Sequence, residues 1–202
     1  MINGLMIDVD GVLICGRPSD GKPWASTIEH DLGVSVEILQ REFFAPYWGD
    51  IVIGQADLID HLEPILAKIA PHLSCDEFVA YWFSNDARLN LRLLREVDQQ
   101  RKSGRMVFLA TNQEHIRAKY LLDVLGLRNH CDDIFYSAAL GCRKPDRSFF
   151  EKAGALSGFP PDQLLLLDDT HANLTTALAS GWHAAHWSEG RSLSAIVAKT
   201  GL

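Results

Sequence analysis

The chain begins with a short apolar segment that two carboxylates interrupt. Residues 4–13 are predicted to form the first strand, and within them Asp8 and Asp10 stand two positions apart, with Gly11 directly after. In a buried strand, side chains at alternate positions share one face, so the two carboxylates can converge. Open α/β sheets bind their ligands at the carboxyl ends of their strands. Because close carboxylates repel each other, the pattern predicts a divalent cation or a shared proton, although an Asp-Gly turn after a strand explains it equally well.

The second half of the chain alternates short apolar segments with amphipathic ones. From about residue 104 onward, this alternation predicts strands over residues 106–110, 134–137, 164–167 and 183–187. Between them it predicts helices over residues 113–125, 146–156 and 172–180, the second with Asp146 as its N-cap. The four leucines of residues 164–167 suit a strand buried on both faces. The alternation is typical of an α/β protein with a doubly wound, Rossmann-like parallel sheet.

Residues 17–87 interrupt this alternation with helical periodicity and no convincing strand. Helices are predicted over residues 25–31, 36–44, 55–69 and 75–84, with a capping box at Ser74 and Glu77. Pro64 predicts a kink or a restart near Glu63. A helix over residues 89–102 then returns the chain to the sheet. We therefore expect a discontinuous α/β core, residues 1–16 and 88–202, with residues 17–87 inserted as a helical cap.

Composition narrows the class of partner. The chain has 202 residues, of which 19 are basic and 26 acidic, for a formal net charge of −7. This balance argues against a general nucleic-acid binder or an anionic-membrane binder. The four cysteines form no CxxC pair, which favours reduced thiols and a cytoplasmic location. No signal peptide or membrane span is expected, and both a monomer and a homodimer remain open.

Three later segments place polar residues where the sheet is expected to bind ligands. Thr111 and Asn112 follow the strand at 106–110, Lys144 precedes a helix start, and Asp168 and Asp169 end the strand at 164–167. Taken alone, each segment has a simpler explanation. The Thr-Asn pair could supply a helix N-cap, the lysine could be a solvated surface charge, and the Asp-Asp pair could be an N-cap and its neighbour. Two strands that both end in acid pairs, together with a hydroxyl and a lysine, make coincidence a poor explanation.

Together these segments resemble the haloacid dehalogenase-like hydrolases. The signature segments occur in order as DVDGV at 8–12, TN at 111–112, KPD at 144–146 and DD at 168–169. The resemblance covers essentially the whole chain, and the insert matches the helical cap of this family. The run DDTHAN at 168–173 resembles a branch that includes small sugar-phosphate phosphatases and the phosphatase domain of soluble epoxide hydrolases. The resemblance implies an enzyme that hydrolyses small organic phosphate monoesters, sugar phosphates among them.

The resemblance also implies a role for each acidic and phosphate-binding position. Asp8 is the expected nucleophile, which forms an aspartyl-phosphate intermediate. Asp10 is the expected general acid and then base, with its backbone carbonyl as a metal ligand. Thr111 and the backbone N–H of Asn112 are expected to bind phosphoryl oxygens. Lys144 is expected to neutralise charge and to orient the nucleophile.

The expected metal is Mg²⁺, because every implied ligand is a hard oxygen and no His or Cys joins them. Asp169 is the first choice for a direct ligand beside Asp8. Asp168 is expected to be either a ligand or a residue that holds the ligands in place, and Asn173 to brace this loop. His171 lies next to the pair and is expected to face solvent.

The cap is expected to enclose a small substrate and to exclude phosphoproteins and nucleic acids. Trp48 and Trp82 in the cap are candidates for contact with the leaving group, as is Asp86, although cap packing also explains the aromatic residues. A phosphomutase with the same chemistry remains an alternative. A 2-haloacid dehalogenase is disfavoured, because halide loss needs neither the acid Asp10 nor a divalent metal. A non-catalytic binding protein on this fold is the least favoured alternative.

Overall fold

The secondary structure follows a strand, a run of helices, and then alternating strands and helices. The computed structural model describes residues 1–200. The first strand and the helices of the insert are β1 (Gly4–Ile7), α1 (Ile28–Leu32), α2 (Val36–Leu39), α3 (Ala45–Ile51), α4 (Leu58–Ile69) and α5 (Cys75–Asn85). The remaining elements are α6 (Leu91–Lys102), β2 (Met106–Thr111), α7 (His115–Asp123), β3 (Asp133–Tyr136), α8 (Ser137–Leu140), α9 (Arg147–Ser157), β4 (Leu164–Asp168), α10 (His171–Ala179), β5 (His183–His186) and α11 (Leu193–Thr200).

The five strands form one parallel sheet in the order β3-β2-β1-β4-β5. The central strand β1 pairs on one side with β2, in a register that sets Ile7 opposite Leu109. On its other side, Ile7 is opposite Leu167 of β4. The carboxyl ends of β2, β1 and β4 therefore meet at one edge, so the residues that follow these strands come together. The predicted doubly wound α/β sheet is confirmed.

Apolar side chains cover both faces of the sheet. Strand β4 shows this most directly, since its four leucines are fully buried. Leu164 and Leu166 pack in the layer that contains α9 and α10, whereas Leu165 and Leu167 pack in the layer that contains α6 and α11. Burial of one such side chain contributes roughly 1.5–3 kcal/mol. The continuous leucine run is therefore explained by burial on both sides.

The inserted helices have an apolar core of their own. Its buried side chains include Phe43, Leu62 and Phe78, none of which belongs to the two layers on the sheet. The predicted capping box at α5 is confirmed, because Ser74 Oγ accepts from the Glu77 backbone N–H and the Glu77 carboxylate accepts from the Ser74 backbone N–H. The cap boundaries at residues 16/17 and 87/88 stay a prediction. None of the helices within residues 1–200 combines the length and apolar character needed to cross a bilayer.

Several predicted boundaries were wrong for local physical reasons. Strand β1 ends at Ile7, because the next residues form a tight turn in which the backbone N–H groups of Leu13 and Ile14 donate to the Val9 carbonyl. Helix α4 runs through Pro64 without a restart, since one missing N–H removes a single hydrogen bond from a helix whose other face is buried. The helix predicted over 36–44 continues through a π-helical segment, Gln40–Phe44, into α3.

Candidate active site

The predicted catalytic residues meet in one cavity at the carboxyl ends of β1, β2 and β4. It measures about 360 Å³ and is lined by Asp8, Asp10, Gly11, Thr111, Asn112, Lys144, Asp169, Thr170 and Asn173. A larger cavity, about 540 Å³, lies at the opposite end of β2 and is lined by Arg101 and Asp132, which pair with each other. The size of a cavity therefore does not identify the site. The smaller cavity is identified by its lining, which combines carboxylates, a lysine, a hydroxyl and side-chain amides.

Lys144 is the buried positive charge of the site. Only 3% of its surface is exposed, and its Nζ lies 2.9 Å from Asp8 Oδ1 and 2.6 Å from Asp168 Oδ2. Burial alone would lower the pKa of Lys144, but the two carboxylates outweigh that effect and raise it. The lysine therefore stays charged and holds together the side chain that follows β1 and the one that ends β4.

Asp8 is buried directly after β1, where a charged carboxylate is costly without a cation. Burial raises its pKa, Lys144 opposes this and Asp168 adds to it, which brings the pKa to about 8. The hydrogen bonds it accepts both fall on Oδ1, from Lys144 Nζ and from the Val9 backbone N–H at 2.8 Å. Among residues 1–200, no protein group donates to its Oδ2. That oxygen is available to a substrate or a metal.

Three carboxylates are arranged closely enough to hold one cation. Asp8, Asp168 and Asp169 each offer an oxygen, and these oxygens lie within 4.8 Å of one another. One lysine cannot balance three negative charges in a small volume, and a divalent cation would compensate the remaining repulsion. The donors are all carboxylate oxygens, which suits Mg²⁺. The site therefore fits the expected metal.

Asp168 and Asp169 differ in how far the protein occupies their oxygens. Asp168 is fully buried, and Asn173 Nδ2 lies 3.0 Å from each of its oxygens. Its Oδ1 also accepts from the Thr170 backbone N–H at 2.8 Å, and its Oδ2 accepts from Lys144. Asp169 is exposed, and within residues 1–200 its carboxylate accepts only from Thr170 Oγ1, at 3.2 Å. Asp168 is thus placed to brace the site, while Asp169 is free to bind a cation with Asp8.

Gly11 lies under the Asp169 carboxylate and allows it to approach the loop after β1. A Cβ at this position would overlap the Asp169 Oδ2, and the φ of Gly11 is +79°. That conformation and that lack of space both favour glycine. The Asp-Gly pair therefore has a local function beyond the turn.

Asp10 lies at the mouth of the cavity, where solvent reaches it. Its Oδ2 accepts from Gln113 Nε2 at 2.5 Å. The cap and the core crowd the carboxylate, and this loss of bulk water, with Asp86 nearby, raises its pKa to about 6, although Arg117 opposes the shift. A carboxyl group with such a pKa can both donate and accept a proton near neutral pH.

Thr111 and Asn112 do not cap the next helix. Helix α7 begins at His115, and the Glu114 carboxylate caps it by accepting from the Ile116 backbone N–H at 2.7 Å. The Asn112 side chain instead holds the main chain of Lys144: its Nδ2 donates to the Lys144 carbonyl at 2.9 Å, and the Lys144 N–H donates to its Oδ1 at 2.8 Å. The simple N-cap interpretation of these residues was therefore wrong.

The helix that follows Lys144 begins as predicted except in one detail. Asp146 does stand at the N-cap of α9, but its side chain makes no capping hydrogen bond. The Lys144–Pro145 peptide bond is cis.

The predicted cap contacts lie outside this cavity. Trp82 is buried among aromatic rings, with ring centroids 5.2 Å from Trp24 and 5.5 Å from Trp48. Neither Trp48 nor Trp82 is among the residues that line the cavity. Their contact with a substrate stays a prediction. His171 is exposed and stacks on His186 at 4.5 Å, as expected for a residue that faces solvent.

Sequence reasoning missed Gln113, the side-chain role of Asn112 and the buried Arg117. Gln113 is 4% exposed and bonds to both Asp10 and Thr111. Its position directly after the Thr-Asn pair was a usable signal, since a polar residue there is near the same strand end. Arg117 had no such signal, because its partners lie in the cap.

A family model described as haloacid dehalogenase-like hydrolase matches residues 2–181. The parallel sheet, the helical insert and this match define a hydrolase with a Rossmann-like fold. The chain belongs to the haloacid dehalogenase-like hydrolases and is an enzyme of that class.

Solved structures agree on the fold. A HAD family enzyme from Bacteroides thetaiotaomicron, in complex with magnesium and inorganic phosphate, has a TM-score of 0.80 at 18% identity, over 97% of this chain and 99% of that one. A predicted HAD-like family hydrolase from Porphyromonas gingivalis has a TM-score of 0.76 at 21% identity, over 98% of both chains. An L-2-haloacid dehalogenase has a TM-score of 0.67 at 19% identity, over 95% of this chain and 89% of that one. No curated protein matches the sequence.

Proposed function

We propose that this protein is a Mg²⁺-dependent phosphatase of small organic phosphate monoesters, which acts through an aspartyl-phosphate on Asp8. The observation that carries the proposal is the pairing, in one cavity, of a lysine-bound Asp8 with a second acid, Asp10, whose pKa is about 6. Halide displacement has no use for that second acid. The magnesium and phosphate held by the B. thetaiotaomicron enzyme support the proposal from a similar fold.

The residues divide the reaction into two steps. In the first step, an oxygen of Asp8 attacks phosphorus, and the bond from phosphorus to the leaving-group oxygen breaks. Asp10 donates a proton to the leaving-group oxygen. In the second, Asp10 takes a proton from water, which attacks phosphorus and releases inorganic phosphate and free Asp8. Lys144 and Thr111 stabilise the charge on the phosphoryl oxygens and orient Asp8.

The cation fits the carboxylates of Asp8 and Asp169, with Asp168 bracing them. Mg²⁺, when bound there, supplies positive charge that favours ionised Asp8 and offsets charge on the phosphoryl group. That charge would lower the pKa of Asp8, which burial and Asp168 raise to about 8 even with Lys144 beside it.

The substrate is a small phosphate ester in this proposal, with sugar phosphates as one class. The helical insert supports it, since a cap that closes over the strand ends would limit access and exclude water during the reaction. The four cysteines are free thiols, which supports a reducing, cytoplasmic location.

Phosphate release from a panel of small esters tests the proposal, with Mg²⁺ and with a chelator. We expect Mg²⁺-dependent turnover by the native chain and none by Asp8→Asn. Asp98→Asn, which changes a carboxylate outside the cavity, serves as the matched control. Metal-independent halide release from a 2-haloacid without phosphate release would contradict the proposal. Isomerisation of a sugar phosphate that needs a bisphosphate would instead indicate a mutase.

A further inference from the structure

Gln113 links two groups of the site that come from different segments. Its Nε2 lies 2.5 Å from Asp10 Oδ2 and 3.2 Å from Thr111 Oγ1. The residue is 4% exposed, and its own carbonyl accepts from the Ala138 backbone N–H and the Ser137 hydroxyl, both at 3.1 Å. Both ends of the residue are therefore fixed, so its side chain has little freedom to turn away.

The chemistry of an amide sets the direction of these hydrogen bonds. The amide nitrogen carries two hydrogens and accepts none, whereas the amide oxygen only accepts. A carboxylate needs a donor opposite it, so the nitrogen faces Asp10 rather than the oxygen. Asp10 Oδ2 and Thr111 Oγ1 are then both acceptors toward Gln113.

We infer that Gln113 is a positioning residue that sets the proton geometry of the site. It holds Asp10 Oδ2 as an acceptor, so that Asp10 Oδ1 is the oxygen that exchanges a proton with the leaving group. It also accounts for one lone pair of Thr111 Oγ1, which leaves the hydroxyl hydrogen to donate to a phosphoryl oxygen. The inference rests on the proposed phosphatase reaction and adds a residue to it.

The test is the dependence of kcat/KM on the leaving group. This constant covers the steps up to the aspartyl-phosphate, which include protonation of the leaving oxygen. An alkyl phosphate needs that proton, whereas p-nitrophenyl phosphate releases a stable anion without it. A residue that positions Asp10 therefore affects the alkyl ester more than the aryl ester, and a merely structural residue affects both equally.

Gln113→Met removes both donors at nearly constant length. We expect kcat/KM for an alkyl phosphate to fall about 10- to 100-fold further than for p-nitrophenyl phosphate, which is part of the roughly 100- to 10,000-fold that general acid catalysis contributes. Gln113→Glu, which keeps the shape but puts an acceptor opposite Asp10, should show the same discrimination. In an Asp10→Asn background, Gln113→Met should no longer change the ratio between the two esters, because its target is gone.

Gln100→Met is the matched control. Gln100 is also a buried glutamine, and it bonds to Ser194 away from the site, at 3.3 Å. We expect the control to leave the ratio between the two esters unchanged. Equal losses for both esters in Gln113→Met, with thermal unfolding unchanged, would overturn the inference while the phosphatase proposal stands. A native chain that hydrolyses neither ester would overturn both.

Discussion

Removal of the lysine at the centre of the site is the perturbation with the largest calculable effect. Lys144→Met keeps the volume of the side chain but leaves Asp8 and Asp168 without the cation that lies 2.9 Å and 2.6 Å from them. Loss of one partner from a buried ion pair costs about 3–5 kcal/mol, because the remaining charge stays buried and unpaired. In a chain of this size, 1 kcal/mol shifts the unfolding midpoint by about 2–4 °C. The expected fall in the midpoint is therefore about 6–20 °C.

The loss of stability in Lys144→Met should be larger at high pH than at low pH. Burial raises the pKa of Asp8 in the folded chain above its usual value of 3.8, and without Lys144 to oppose this the pKa rises further. A group whose pKa is raised on folding binds its proton more tightly in the folded state. Stability is then retained at acid pH and is lost as the pH rises toward the folded pKa. Because the pKa of Asp8 in the native chain is about 8, Lys144→Met should lose more stability at about pH 9 than at about pH 5.

Thermal unfolding in the presence of a chelator measures this effect. Lys119→Met is the matched control, since that lysine is 78% exposed, pairs with Asp123 at the surface, and should contribute about 0–1 kcal/mol. A fall no larger than that of the control, or an equal fall at both pH values, would refute the ion-pair reasoning.

Three further predictions concern the metal, the acid and the cap. Gly11→Ala should weaken Mg²⁺ binding, because a Cβ would displace the Asp169 carboxylate; an unchanged magnesium titration would contradict this. For alkyl phosphates, kcat/KM should fall as the pH rises through about 6, since the first step needs protonated Asp10; the same fall in Asp10→Asn would contradict that role. Arg117→Met should lower the free energy of unfolding by about 2–3 kcal/mol, because its buried guanidinium donates to carbonyls at the end of α5. Urea unfolding beside Arg128→Met, whose guanidinium is exposed, measures this, and equal stabilities would disprove it.

Sequence patterns predicted the features that depend on local structure. The leucines of β4 and the acid pair at its end were predictable from the sequence, because a strand buried on both faces needs a continuous apolar run. The capping box at Ser74 was readable because its partners lie within one turn. The position of Lys144 was also predictable locally, because a helix begins just beyond it and helices of such a sheet begin near the strand ends.

The remaining features depend on contacts between distant segments. Asn112 bonds to Lys144 across 32 positions of sequence, and Gln113 reaches Asp10 across 103. No local periodicity carries such information, because the approach of two loops is set by strand order and by packing. The early end of β1 has a related cause: the turn that follows forms its own hydrogen bonds, and strand alternation no longer applies.

Trapping of the covalent intermediate tests the central claim most directly. The native chain is mixed with a small phosphate ester and Mg²⁺, quenched rapidly in acid, digested and analysed by mass spectrometry. The account predicts that the peptide containing Asp8 gains the mass of one phosphoryl group, and that Asp10→Asn, in which the second step is slowed, accumulates more of it from p-nitrophenyl phosphate. Phosphate release without a phosphoryl group on Asp8, or a phosphoryl group on another residue, would contradict it.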